Sequence, residues 1–282
     1  MGIIIQPNGI DNLWSVEDVK SALKILNEKF ITMTTLAENV EIDIDGIGTI
    51  TIDWGDGSEI KDHNLPFDLE TGCNLLKKSY SDGDAHTIII VGNITDLTVE
   101  LNHLTALDVS QNPALERLCC CINYLKELDV SHNVLLEKLC CGHNYLTTLD
   151  VSQNTALEVL FCDGNGLSEL DVSQNTVLKG LICCHNNLTA LDVSRNTELE
   201  ELFCHFNQLT SLDVSRNTAL NYLECNNNLF SANALNALLE TLHNNTVSDC
   251  DINIDENPGT EDCDTSIAEK KGWKIIKEWN DE

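Results

Sequence analysis

Cysteine and histidine side chains occur close together at one point in the sequence, in a combination that could bind a metal. The group consists of Cys119, Cys121, Cys140 and His143, and thiolate together with imidazole suits zinc. Known zinc spacings such as C-x2-C are absent from it. We therefore interpret the group as free thiols in proximity, with a metal site as the alternative, and we predict no bound cofactor.

A second group contains the residue types of a nucleophilic triad. Asp163, Cys184 and His205 follow one another at intervals of 21 residues, and cysteine with histidine and aspartate can form an activated nucleophile. The cysteine stands between the other two, and a flat sheet offers neither the water-excluding pocket nor the oxyanion donors that acyl transfer needs. We predict no catalytic residues and a protein that is not an enzyme.

The interval of 21 residues belongs to a repeat that organises most of the chain. The tetrapeptide LDVS begins at Leu107, Leu128, Leu149, Leu170, Leu191 and Leu212. Each unit reads L-x-x-L-x-C-x-x-N-x-L-x-x-L-D-V-S-x-N-x-x, with a period typical of leucine-rich repeats. The pattern predicts an α/β solenoid, a right-handed leucine-rich-repeat coil with a parallel concave sheet that receives one strand from each repeat.

Three columns of the repeat are predicted to be structural. The cysteine column shares a strand face with the leucine two residues earlier, so we expect buried, reduced thiols. The asparagine column should hydrogen-bond to backbone groups where the chain turns. The aspartate after each LDVS leucine should accept local backbone N–H groups, with calcium between coils as the alternative. The cysteines are Cys120, Cys141, Cys162, Cys183, Cys204 and Cys225, and the asparagines are Asn123, Asn144, Asn165, Asn186, Asn207 and Asn228.

The chain divides into four predicted segments. They are a lead-in with a helix (1–29), a small β-sandwich (30–92), the solenoid with a helical insertion at about 232–243 (93–257), and a C-terminal cap (258–282). The strands of the sandwich are FITMTTL, NVEIDI, GTITIDW and HTIIIVG, which alternate with acidic and glycine-rich turns.

Sequence signals also define the ends of two helices and a candidate disulfide. Ser15 and Asp18 form a capping box before an amphipathic helix that we expect to run to about residue 28. Ser231 is the expected N-cap of the helical insertion. Cys250 and Cys263 bracket the final strand, and they are a candidate disulfide if the protein is exported.

Two parts of the sequence resemble known families. The segment GTITIDWGDGSE, with Tyr80 and HTIIIVG after it, resembles the W-G-D-G-S signature of PKD-type immunoglobulin-like domains. The LDVSxNxxLxxLxC repeats resemble the cysteine-ladder repeats of bacterial surface proteins of the internalin class. The second resemblance implies a curved solenoid, extracellular or at the cell surface, that binds a protein of a host or neighbouring cell through its concave sheet.

The repeat places solvent-facing side chains in columns on this concave face, about 4.8 Å apart from coil to coil. The central column reads Cys119, Cys140, Phe161, Ile182, Phe203 and Glu224. Its apolar members predict an interaction site, with coverage by a terminal domain or a second copy as the alternative. The predicted ligand-binding residues are Phe161, Ile182 and Phe203, with Phe206, Tyr222 and His205 beside them and Arg117 and Lys138 at the N-terminal end.

Composition narrows the choice of partners. With 16 Lys+Arg against 46 Asp+Glu the formal net charge is −30, so we predict no binding to nucleic acid or to anionic membrane surfaces. Apolar runs are too short to span a bilayer, and the first residues carry no export signal; an intracellular protein and a trimmed mature chain both remain open. The predicted ligand is a protein, the oligomeric state is open, and a thiol or metal site and a rigid spacer are the alternative functions.

Overall fold

The computed structural model describes residues 15–65, 74–245 and 250–276. The lead-in before residue 15 and residues 277–282 of the predicted cap lie outside the described residues. Helix α1 spans Val16–Ile25. It begins with the predicted capping box, in which Ser15 Oγ accepts the Asp18 N–H at 3.2 Å and the Asp18 carboxylate accepts the Ser15 N–H at 2.9 Å. The helix ends before residue 28 because Asn27 adopts a left-handed φ of 56°.

Six strands follow, and they differ in part from the predicted ones. Their bounds are β1 Phe30–Thr35, β2 Asn39–Asp53, β3 Lys61–Leu65, β4 Leu75–Ser79, β5 His86–Thr98 and β6 Leu104–Asp108. The stretches NVEIDI and GTITIDW form one strand, β2, rather than two. It pairs antiparallel with β3, β4 and β5.

Each repeat then contributes one short strand to a parallel sheet. The strands are β7 Arg117–Cys119, β8 Lys138–Cys140, β9 Val159–Phe161, β10 Gly180–Ile182, β11 Glu201–Phe203 and β12 Tyr222–Glu224. They pair in register, so that Leu118, Leu139 and Leu160 lie side by side. The central leucine of every strand is buried, and the residues on either side of it face away from the core.

The cysteine column lies in the core, as predicted. All six ladder cysteines are fully buried free thiols. Burial raises the pKa of Cys120, Cys141, Cys162, Cys183 and Cys204 well above the ordinary thiol value. They therefore pack as small neutral hydrophobes in the solenoid.

Asparagine side chains join each coil to the next. Asn144 donates to the carbonyls of Cys120 and Cys141 at 3.0 and 3.1 Å and accepts the Leu125 N–H at 3.0 Å, which confirms the predicted role of its column. A second ladder, which the sequence analysis did not single out, consists of Asn112, Asn133, Asn154, Asn175, Asn196 and Asn217, all fully buried. From Asn133 onward each of these donates to a valine carbonyl and to an asparagine carbonyl of the preceding coil.

The aspartate column bonds to its own turn, as predicted. Asp150 Oδ1 accepts the Ser152 N–H at 2.9 Å, and the same bond recurs at Asp108, Asp129, Asp171, Asp192 and Asp213. Hydrogen bonds from Ser152 hold the pKa of Asp150 below its ordinary value. These local bonds explain why carboxylates can recur in every coil.

The C-terminal end of the solenoid is closed by two helices and two further strands. These are α2 Ala232–Thr241, β13 Cys250–Asn253, α3 Ser266–Lys270 and β14 Trp273–Ile276, with a short 3-10 turn at Thr260–Asp262. Ser231 Oγ accepts the Ala234 N–H at 3.3 Å, so the predicted N-cap is confirmed. β13 and β14 extend the parallel sheet beyond β12.

The candidate disulfide between Cys250 and Cys263 is not formed. Neither residue is part of a disulfide. Cys250 Sγ faces the Leu220 carbonyl at 4.0 Å, whereas Cys263 Sγ faces the Thr260 carbonyl at 3.2 Å. The two thiols thus point at different parts of the backbone.

Strand β5 connects the N-terminal strands with the solenoid. It runs past residue 92, pairs antiparallel with β1 and parallel with β7, and so joins all strands into one hydrogen-bonded network. One hydrophobic core cluster extends from Ile31 to Trp273. A separate sandwich with its boundary at residue 92 stays a prediction.

Candidate ligand-binding face

The parallel register places the predicted columns on one face of the sheet, which we call the concave face. Its central column is Cys119, Cys140, Phe161, Ile182, Phe203 and Glu224, and these residues are neighbours in consecutive strands. One flanking column contains Arg117, Lys138 and Tyr222 and the other contains Cys121, Asp163 and His205. The sequence and the structure agree on which residues share this face.

The apolar members of the central column are less exposed than predicted. Phe161, Ile182 and Phe203 are half-buried, and Cys140 is buried at 3% exposure. Neighbouring strands in a sheet lie only about 4.8 Å apart, so each side chain covers part of the next. The column therefore forms a packed apolar strip whose side chains remain partly exposed to solvent.

Aromatic and acidic side chains contact one another at the C-terminal end of the strip. The rings of Phe203 and Tyr222 have centroids 5.1 Å apart. The Tyr222 hydroxyl donates to Glu224 Oε1 at 2.7 Å, and His205 Nδ1 lies 3.2 Å from Glu224 Oε2. Glu224 thus holds two ring side chains in place on the concave face.

The two basic residues lie at the N-terminal end, as predicted, and both have contacts within the chain. Arg117 forms an ion pair with Asp96, while the Lys138 ammonium lies 5.8 Å from the centroid of the Phe161 ring. They line a cleft of about 290 Å³ together with Asp43 and Asp45 of β2. Positive and negative charges therefore meet at this end of the face.

Phe206 lies beside the concave face rather than on it. Its backbone has a left-handed φ of 50°, and its ring is exposed and stacks on His185 with centroids 4.3 Å apart. The residue just before each asparagine of the column, and before the equivalent Asn102, has a left-handed backbone; these residues are Leu101, Ile122, His143, Gly164, His185, Phe206 and Asn227. This geometry directs the side chain to the edge of the sheet.

The candidate metal ligands do not come together as one group. Hydrogen bonding with the Cys121 thiol, together with partial burial, raises the pKa of Cys119 to about 12, so this thiol is neutral at physiological pH. His143 instead places its Nε2 3.1 Å from Asp163 Oδ2 in the next coil. Among the described residues no group of three or more His, Cys, Asp or Glu side chains could hold a metal ion.

The candidate triad is likewise divided between other partners. Asp163 pairs with His143, and His205 pairs with Glu224. Cys184 is 7% exposed, and burial together with the charge of Asp163 raises its pKa to about 12. A neutral, buried thiol is a poor nucleophile.

Two glycines make room for the pair between His143 and Asp163. A Cβ atom on Gly142 would collide with the Asp163 carboxylate, and one on Gly164 would collide with the His143 ring. The ion pair between these adjacent coils therefore requires a residue without a Cβ atom at both positions.

An aromatic ladder at the edge of the sheet was missed by the sequence analysis. His103 follows Asn102, and Tyr124 and Tyr145 follow the first two asparagines of the column. Their rings stack with centroids 5.1 and 6.0 Å apart. Tyr145 is 59% exposed. The column could have been found in the sequence, because its members recur at the repeat interval.

The helices of the described segments are all too short or too polar to cross a lipid bilayer.

Comparison with solved structures identifies the fold of the repeats. Internalin C2 from Listeria monocytogenes aligns with a TM-score of 0.55 at 16% identity, over 66% of this chain and 81% of that chain. The leucine-rich-repeat domain of APL1B aligns with a TM-score of 0.50 at 17% identity, over 64% of this chain and 62% of that chain. The chain therefore has the leucine-rich-repeat fold.

A third match is to a domain that is described as including a cysteine ladder. The functional domain of InlJ from Listeria monocytogenes, which includes a cysteine ladder, aligns at 34% identity with a TM-score of 0.47. The match covers 63% of this chain, and the chain spans 47% of the InlJ chain. No family model and no curated protein matches the sequence.

Proposed function

We propose that this chain is a non-catalytic recognition module that binds a protein ligand through its concave face. One observation carries the proposal: Phe161, Ile182 and Phe203 form an in-register apolar strip on the side of the sheet away from the core. The repeat buries its leucines and cysteines on the other side, so the solenoid does not need large apolar residues here. An apolar strip that the fold does not require is typical of an interaction surface.

The surroundings of the strip support a protein ligand. Tyr222 and Phe203 offer ring faces, and aromatic side chains commonly dominate the affinity of protein interfaces. Arg117 and Lys138 lie at one end of the strip and Glu224 lies at the other. A partner with the complementary distribution of charge would therefore bind in one orientation. The half-buried packing of the strip reduces the conformational entropy that binding would otherwise cost.

The proposal extends to location and to the N-terminal segment. The sequence resemblance to the internalin class supports a protein that acts outside the cell or at its surface. The W-G-D-G-S turn supports a PKD-like cap: Tyr80 donates to the Trp54 carbonyl at 2.7 Å, and Lys78 pairs with Asp56 at 2.5 Å. These contacts tie the turn to β4 and to the residue that follows it.

The test is a quantitative capture experiment with matched variants. The biotinylated chain is incubated with surface proteins released from candidate target cells, and bound proteins are quantified by mass spectrometry. Phe161→Ser with Phe203→Ser should reduce retention of the specific ligand at least about tenfold, since each ring is a candidate anchor. Phe161→Leu with Phe203→Leu keeps an apolar strip and should retain more of the ligand.

Folding is checked in the same variants. The rings are half-buried, and full burial of such a side chain contributes about 1.5 to 3 kcal/mol, so the double serine variant should lose about that much in total. A cooperative transition at a slightly lower temperature is therefore expected. A double serine variant that folds and keeps the whole set of captured proteins would contradict the proposal.

A further inference from the structure

The C-terminal end of the concave face combines ring faces with carboxylates. Phe203 and Tyr222 lie 5.1 Å apart between ring centroids, with their planes tilted by 33°. Glu224 follows Phe203 in the central column, and its side chain is 17% exposed. Aromatic faces next to a partly exposed carboxylate are the groups that receive a cationic side chain in proteins.

Further negative charge surrounds Tyr222. The register places Glu201 on one side of Tyr222 and Asp251 on the other. Burial, the hydrogen bond to Glu224 and the charges of Glu224, Asp251 and Glu201 together raise the pKa of Tyr222 to about 12. The phenol is thus neutral at physiological pH and sits in a field that attracts cations.

Acceptor capacity remains at this end of the face. Each Glu224 oxygen has one contact, with the Tyr222 hydroxyl or with His205, whereas a carboxylate offers about four lone-pair sites. Oδ1 of Asp251 is buried and has no hydrogen-bond partner among the described residues. Lys274 is in register with Asp251, and its side chain is exposed.

We propose that Phe203, Tyr222, Glu224 and Asp251 form a binding site for an arginine side chain of the protein ligand. The guanidinium group stacks on a ring and at the same time donates to the remaining lone pairs of Glu224, which its planar geometry allows, while Asp251 adds negative charge beside Tyr222. Lysine offers a more strongly hydrated point charge and gains less from the ring faces. The inference rests on the proposed function and adds the chemistry of the ligand, namely a basic segment that meets the acidic end of the face.

The experiment uses the full chain and a dye-labelled hexa-arginine peptide at about 150 mM salt, where long-range attraction is screened. Binding is followed by fluorescence anisotropy. Glu224→Gln should weaken binding about tenfold, because it removes a half-buried charge at the centre of the site. The control is Glu169→Gln, which removes the same charge from an exposed position away from the concave face and should change the affinity less than about twofold.

Two further measurements keep the test independent of folding. Glu201 is exposed, so Glu201→Gln should leave the melting temperature unchanged and weaken hexa-arginine binding about twofold to threefold. A hexa-lysine peptide of the same charge should bind wild type more weakly than hexa-arginine does. Equal losses in the Glu224 and Glu169 variants, or equal affinities for the two peptides, would overturn the assignment.

The outcome separates this inference from the proposed function. Loss of ligand capture in the Phe161→Ser, Phe203→Ser variant together with unchanged hexa-arginine binding in Glu224→Gln would remove the arginine site and leave the concave face as the binding surface. Phe161 lies two strands away from Phe203, so Phe161→Ser alone should leave hexa-arginine binding unchanged.

Discussion

The second asparagine ladder is expected to contribute directly to stability, and Asn175→Ala tests this. Asn175 is fully buried, and its side-chain amide donates to the carbonyls of Val151 at 3.0 Å and Asn154 at 2.8 Å. Both bonds reach into the preceding coil, and alanine removes both. The substitution therefore measures how strongly this column holds adjacent coils together.

The expected loss of stability depends on whether the two carbonyl groups keep other hydrogen bonds after the substitution. The Val151 carbonyl also accepts the Asn154 N–H, and the Asn154 carbonyl also accepts the Leu157 N–H, so neither is left without a partner. The cost is then the net contribution of two hydrogen bonds, about 1 to 3 kcal/mol. Oδ1 of Asn175 has no hydrogen-bond partner among the described residues, so its loss should add nothing.

Urea unfolding followed by circular dichroism provides the measurement. The control is Asn187→Ala, an exposed position on the next coil, which should stay within about 0.5 kcal/mol of wild type. Asn175→Asp should destabilise more than Asn175→Ala, because it replaces a double donor with a buried charge next to two carbonyl oxygens. An Asn175→Ala protein as stable as the control would refute the role assigned to the ladder.

Three further predictions concern the turns and the core. Hydrogen bonds from Ser152 lower the pKa of Asp150 in the folded state, so the stability that they contribute is fully present above the unfolded pKa of about 3.9 and is lost as pH falls through the folded value. Calorimetry should therefore show that Asp150→Asn loses less stability in acid than wild type does. An identical loss of stability in the two proteins would contradict the role of this bond. Alkylation at neutral pH should modify the six ladder cysteines only after unfolding, since all are buried; fast native labelling would show the column to be misplaced. Gly164→Ala should lower the free energy of unfolding by about 1 to 2 kcal/mol, since it introduces a Cβ at a φ of 60° and against the His143 ring. Adding His143→Ala to this variant should recover part of the lost stability, as measured by urea unfolding. The absence of any recovery would mean that the ring is not the obstacle.

The solenoid could be predicted from the sequence because every coil repeats the same packing arrangement. Cys141 and Asn144 recur at the same position in each unit, so their burial and their bonds to adjacent coils follow from the period. The same logic gave the correct columns of the concave face. The period does not predict how exposed these residues are. Cys140, Phe161 and Ile182 are neighbours in consecutive strands, and each side chain shields part of the next from solvent to a degree that depends on side-chain packing.

Features without a period could not be predicted in the same way. The glycine-rich stretch near residue 46 predicts a turn between two strands, yet β2 continues through it with a register shift at Asp45/Gly46. A Cβ on Gly46 would collide with the backbone of Asn93, so this glycine marks a close approach of two strands rather than a turn. The pairing of His143 with Asp163 depends on Gly142 and Gly164, and it became visible only in three dimensions.

Hydroxyl-radical footprinting of the chain with and without its captured ligand tests the central claim most directly. The method reports solvent access of individual side chains, and the chain carries a matched set of rings on two surfaces. Binding should reduce oxidation of Phe161, Phe203 and Tyr222 on the concave face and leave Tyr124 and Tyr145 of the edge ladder unchanged. Protection of Tyr124 and Tyr145 with no change at Phe161 and Phe203 would contradict the claim that the ligand binds the concave face.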